Sequence, residues 1–191
     1  MTQNNLQSVD WSQLPEPSDD GAADHLPGAD LLAVQLPSTD GGSVDLAQLT
    51  GWSVLFCYPM TGRPDRPLPD GWDAIPGARG CTPQACAFRD ALTDLRAVGV
   101  RQVFGVSTQP VAEQREAAAR LHLPFPLLSD ADGCLAGTLG LPTMAVAGTT
   151  LLRRLTLVAR DRRIRKVFFP VFPPDRNPDD VRAWMAGDAA A

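Results

Sequence analysis

The first 62 residues of this 191-residue chain carry no Lys or Arg, the whole chain has only two histidines, and no apolar run approaches a bilayer span. A membrane helix needs about 18–20 consecutive apolar residues, so no membrane partner is expected. The net charge is −5, and no basic stripe with interleaved aromatics is present, which argues against nucleic acid. There is no Gly-x-Gly-x-x-Gly and no phosphate loop, so no nucleotide cofactor is indicated. The cysteines form no C-x-x-C pair, which sets aside the commonest redox and zinc-knuckle spacings. Four scattered cysteines and two distant histidines make a zinc site unexpected, leaving no metal or organic cofactor to expect. A Cys–His nucleophile would need His25 or His122 beside a thiol, and neither is near one in sequence. The N-terminus shows neither a charged n-region nor an apolar h-region, so export is not expected. Four cysteines in that context fit reduced, cytoplasmic thiols better than a disulfide scaffold.

What the chain does have is Gly80-Cys81-Thr82-Pro83-Gln84-Ala85-Cys86-Ala87-Phe88-Arg89-Asp90. Thr82 and Pro83 suit a helix start. Phe88, Leu92 and Leu95 recur at helical spacing, and Gly99 is a natural terminator. Cys81 then lies at the positive end of a helix, where a thiolate is stabilised. Cys86 is on the same helix. In an intact helix, residues five apart are separated by about 8–9 Å at Cα and point about 140° apart. A disulfide needs Cα atoms within about 7 Å, so the two could bridge only after local unwinding. Spacing alone leaves Cys86 open between a redox partner and a small core residue.

Residues 1–27 are acidic and proline-punctuated. They are expected to form a loosely ordered arm, or alternatively one that packs Trp11 and Leu14 against the domain or a neighbouring subunit. Residues 28–191 are expected to form one domain. Strands are expected at 31–36, 43–46, 53–58, 102–107, 125–130, 151–159 and 164–169, and helices at 111–121, 131–139 and 179–186. Residues 60–79 are rich in proline and glycine and read as a long insertion, neither helix nor central strand. Strands alternating with helices, followed by a terminal hairpin, make an α/β sandwich with a mixed sheet.

This order, with the cysteine helix directly after the first buried strand, resembles the thioredoxin-like fold of the peroxiredoxins, and within them the Q-type (bacterioferritin-comigratory-protein) group. The resemblance rests on Leu36–Leu46, Gly80–Asp90, Phe104–Thr108 with Leu123–Asp130, and Arg154–Val158. It implies a peroxidase in which Cys81 is peroxidatic and Cys86 resolving, with Arg154, rather than Arg153, stabilising the thiolate. It also implies a peroxide substrate, a thioredoxin or glutaredoxin as reductant, and a monomer or homodimer. One departure stands out. The family places Pro-x-x-x-Thr/Ser-x-x-Cys directly after the strand. Here Pro59, the expected pocket shield, is separated from Cys81 by the insertion, and Ala78 takes the hydroxyl position. Thr61 is the substitute that the sequence suggests. The absent hydroxyl also leaves room for a thiol-disulfide exchanger or a redox sensor built on the same cysteines. Cys57 is expected to be inert core, and Cys134 a minor candidate for disulfide exchange.

Overall fold

A computed structural model describes residues 9–188. In chain order the strands and helices are β1 (Gln35–Pro37), β2 (Ser43–Asp45), β3 (Trp52–Cys57), α1 (Cys81–Asp90), α2 (Leu92–Ala97), β4 (Val100–Ser107), α3 (Val111–Arg120) and β5 (Leu127–Ser129). They continue with α4 (Cys134–Leu139), β6 (Thr143–Val146), β7 (Thr149–Leu152), β8 (Leu155–Arg160), β9 (Arg163–Phe168) and α5 (Asn177–Asp188). The central sheet has the order β5-β4-β3-β8-β9. β3 and β5 pair parallel to β4, whereas β8 runs antiparallel to both β3 and β9. This is the mixed sheet flanked by helices that the alternation of elements predicts.

β3 is buried along nearly its whole length because both faces of the sheet are covered. Val54, Phe56 and Tyr58 face a core shared with α1, α2, α3 and α5. Leu55 and Cys57 face the opposite core, which includes Leu26, Leu31, Leu36, Leu135 and Leu139. The period of two in a strand thus puts Cys57 and Cys81 on opposite sides of the sheet. On the α1 side, Phe88 stacks on Phe56 with centroids 4.4 Å apart and planes 9° apart, and Phe125 meets the same ring edge-on. Gly105, next to Phe56 in the register, has no room for more: a Cβ there would lie 2.5 Å from Leu127 and 2.7 Å from the Phe56 ring.

Three expectations are corrected. The single helix expected up to Gly99 breaks at Ala91 into α1 and α2. The strand expected over 151–159 is two strands, β7 and β8, interrupted at Arg153 and Arg154. β7 pairs with β6 in a hairpin the sequence did not suggest, and its turn uses Ala147 and Gly148 at positive φ. The arm, within the described residues 9–27, lies on the domain rather than loose. Leu26 is fully buried, Asp20 pairs with Arg153 at 2.7 Å, and the Trp11 indole donates to Asp175 at 3.0 Å. Trp11 also meets Phe172 edge-on. Trp11 and Leu26 bury little alone, but each lands on a surface formed by distant residues. Residues 1–8 lie outside the described part.

The Phe56–Phe88 stack fixes α1 to the sheet. Phe88→Ala should therefore cost about 3–5 kcal/mol of stability, read as a lowered denaturant midpoint with an unchanged slope.

Candidate active site

Gly80 precedes α1 with φ 108°, a left-handed conformation suited to glycine. A Cβ there would also lie 2.8 Å from the Trp11 ring and 2.7 Å from Pro174. The backbone therefore turns sharply under the arm and starts the helix at Cys81, which is 3% exposed. The N–H groups of the first turn of a helix have no intrahelical acceptor, so the turn that begins with Cys81 presents a positive end to its thiol.

The other charged partner is Arg154. It is buried in the break between β7 and β8, and its Nη2 lies 3.1 Å from Cys81 Sγ. The same nitrogen lies 3.2–3.3 Å from the carbonyls of Gly77, Ala78 and Arg79. Nη1 donates to Gln84 Oε1, one helical turn beyond Cys81. Arg153 points the other way, toward Asp20 and over the Phe169 ring. No carboxylate pairs with Arg154 among the described residues, and the Cys81 sulfur is the one side-chain atom that Nη2 contacts.

A small cavity opens on Cys81, lined by Met60, Leu68, Trp72, Arg79 and Thr82 among others. One wall of it is the insertion, which holds a single 3-10 turn at Trp72–Ala74 and packs Trp72 and Ala78 against Val146 and Leu151 of the β6–β7 hairpin. Ala78 is fully buried in that apolar cluster. Its side chain serves packing, while its carbonyl faces Arg154 and lies 3.6 Å from Cys81 Sγ.

Thr61 and Pro59 do not reach the cavity. The Thr61 hydroxyl donates to Gln109 Oε1 at 3.0 Å, and the same oxygen accepts the Thr61 N–H at 2.8 Å. Pro59 is buried, and its carbonyl accepts from Ser107 Oγ at 3.1 Å. At this point the wall is formed by their neighbours Met60 and Gly62. Thr82 is the threonine that lines the cavity. It adjoins Cys81 in sequence, and the sequence reading used it only as a helix-start residue. Gln84 was likewise missed, because a glutamine inside a helix gives no signal of a buried contact 70 residues away.

All four cysteines are free thiols. α1 is unbroken from Cys81 to Asp90, so Cys81 and Cys86 are apart on one helix. Cys86 is half-buried, and burial raises its thiol pKa, partly offset by Arg89. Burial also raises the Cys57 thiol far above its usual range. Cys134 is exposed at the start of α4, and the Asp132 carboxylate beside it raises its pKa. His25 contacts the Leu139 carbonyl, and neither histidine bonds Cys81. Among the described residues, no group of three or more His, Cys, Asp or Glu side chains converges as a metal site. No helix among them is long and apolar enough to cross a membrane.

Comparison with known proteins agrees with this geometry. Residues 23–183 match the family model described as Redoxin. A Mycobacterium tuberculosis protein that carries a peroxiredoxin name is 32% identical over 161 residues, which span 83% of this chain and 94% of the relative. The crystal structure of peroxidoxin BcpB from the same species superposes with a TM-score of 0.67 at 29% identity, covering 84% of this chain and 96% of that one. Peroxiredoxin Q of Xanthomonas campestris gives a TM-score of 0.64 at 23% identity, covering 85% and 94%.

The thiol environments order their reactivity. A raised folded pKa leaves less thiolate at a given pH, so half-maximal alkylation of Cys86 should fall at higher pH than for an unperturbed thiol. Cys57 should stay unmodified until the protein unfolds. Peptide-resolved mass spectrometry over a pH series reads both, and labelling of Cys57 in the folded protein would contradict the burial argument.

Proposed function

Because the chain belongs to the Redoxin family and is a peroxiredoxin similar to the Q-type group, a thiol peroxidase, we propose that Cys81 is its peroxidatic residue and Cys86 its resolving one. The observation that carries the assignment is the 3.1 Å contact between Arg154 and the Cys81 sulfur at the head of α1. The Cys81 thiolate attacks one peroxide oxygen, the O–O bond breaks, and water or an alcohol leaves, with Cys81 becoming a sulfenic acid. The charge that develops on the leaving oxygen meets Arg154 and the N–H groups of the first turn, already oriented before reaction. The apolar wall of Met60, Leu68 and Trp72 excludes water from the thiolate.

For resolution, the first turns of α1 unwind and Cys86 attacks the sulfenic sulfur, expelling water and forming the disulfide. Unwinding also exposes Cys86 and removes the burial that holds its proton. A thioredoxin- or glutaredoxin-type dithiol then reduces the disulfide and is itself oxidised. Free Cys81 and Cys86 on an unbroken α1 are compatible with the reduced stage of such a cycle. The protein acts in a reducing compartment such as the cytoplasm, as a monomer or homodimer.

Thr61 has a supporting place in this reading. Its hydroxyl hydrogen is taken by Gln109, so it holds the turn after β3 and leaves the cavity beside Cys81 to Thr82.

Peroxide consumption with a thioredoxin system tests the cycle. Cys81→Ser should abolish turnover with hydrogen peroxide and an alkyl hydroperoxide, and Cys86→Ser should accumulate a sulfenic acid that a dimedone-type reagent traps. Wild-type turnover retained by Cys81→Ser would remove the assignment. Thr61→Val should change turnover by less than about threefold, since losing a contact made in the transition state costs far more. A loss of tenfold or more would instead put its hydroxyl on the peroxide.

A further inference from the structure

Asn177 is fully buried at the start of α5, far in sequence from the cysteines, and only half of its amide is used. Its Oδ1 accepts from Gln84 Nε2 at 3.1 Å and from Thr156 Oγ1 at 2.6 Å, while its Nδ2 has no acceptor. A buried amide with an unsatisfied donor costs stability that an apolar side chain of similar size would not. An asparagine here is therefore explained by what its oxygen holds.

Donor and acceptor chemistry fixes the direction of the whole chain of contacts. A guanidinium only donates, so the Gln84 atom facing Arg154 must be its oxygen. Gln84 then points its NH₂ at Asn177, which must answer with Oδ1, and the Thr156 hydroxyl donates to the same atom. Arg154 needs this fixed reference. Its Nη2 is shared among three carbonyls and the Cys81 sulfur, whereas Nη1 has the single acceptor Gln84 Oε1 and Nε has none. The Gln84 contact therefore sets the in-plane rotation of the guanidinium, and with it how Nη2 faces the sulfur.

We propose that Thr156 and Asn177 are positioning residues that act through the Gln84 amide to hold Arg154 on Cys81. Without them the Gln84 amide loses the anchor on its NH₂ side, its Oε1 moves with the freed side chain, and the guanidinium that follows it turns Nη2 away from the sulfur. The charged and titratable groups around Cys81 are Arg154, Arg79 across the cavity, the Tyr58 phenol beneath α1 and, on the segment packed against the start of α1, the Asp175 carboxylate that accepts from Trp11. None of them is itself replaced by substitutions at 156 or 177. The inference rests on the peroxidase reading for its consequence, but its geometry can be tested without peroxide.

The test uses the full chain with Asn177→Ala, Thr156→Val and Thr156→Ser. Two readouts are the second-order rate of Cys81 with hydrogen peroxide and the pH midpoint of Cys81 alkylation by iodoacetamide, followed on its peptide by mass spectrometry. Asn177→Ala should slow the peroxide reaction about tenfold and move the alkylation midpoint to higher pH. Thr156→Val, nearly isosteric and compatible with β8, should do the same to a smaller degree, and Thr156→Ser should restore both. In a Gln84→Leu background, Asn177→Ala should add nothing, because the residues act in series. Folded Thr156→Val and Asn177→Ala proteins with the wild-type midpoint would overturn the proposal, even if both were less thermostable. If the wild type consumes no peroxide, the peroxidase reading falls, and the alkylation midpoints still decide for or against the positioning chain.

Discussion

The structure around the site depends on one buried cation without a buried carboxylate. Removing a guanidinium from water is costly unless its donors are satisfied. The two terminal nitrogens of Arg154 meet three consecutive carbonyls, one amide oxygen and a sulfur, while Nε has no acceptor. The carbonyls are those of the last residues before the cysteine helix, so the charge itself shapes the segment that delivers Cys81. What the carbonyls cannot supply is a full negative charge. In the proposed peroxidase cycle a Cys81 thiolate supplies it, so the contacts that fold the loop also face the reacting sulfur.

α1 is held differently at its two ends. Its far end is anchored by Phe88 on Phe56, an aromatic stack inside the sheet core. Its near end is held by polar contacts to Arg154 and by the packing of Trp11 and Pro174 on Gly80. Polar contacts at a helix start can be exchanged for water at modest net cost, whereas leaving an aromatic core cannot. The unwinding that the proposed Cys81–Cys86 disulfide requires would begin at the polar end, with Phe88, two residues past Cys86, still anchored on Phe56.

The parts of this arrangement that were legible in the sequence are those encoded locally. The apolar run of β3, the apolar stripe of Phe88, Leu92 and Leu95 across α1 and α2, and Gly99 at φ 98° all follow from neighbouring residues. The cap of α1, by contrast, is Gly80, and the helix begins one residue before the Thr82 and Pro83 that suggested its start. Arg154 rather than Arg153 was legible only through family resemblance, because both are arginines beside the same strand. The β6–β7 hairpin was hidden because Ala147-Gly148 is a weak turn signal and its strands have four residues each. Gln84, Thr156 and Asn177 were hidden for another reason. Each is an ordinary polar residue, and only the tertiary fold brings them together across separations of 21 and 93 residues.

The absent hydroxyl at position 78 follows from the insertion. Residues 60–79 have to bury their own apolar side chains, and they do so by closing Trp72 and Ala78 against the β6–β7 hairpin. A threonine at 78 would put a hydroxyl into that cluster, where a partner would be needed. The backbone carbonyl at 78, by contrast, still bonds Arg154. The arm follows the same logic on the outside: Pro17 lies against Gly77 and Trp11 against Gly80, at both ends of the segment that Arg154 grips. Trp11 and Pro17 fall outside the stretch matched by the Redoxin family model, which begins at residue 23. The arm thus packs on the segment that leads into Cys81 at both of its ends.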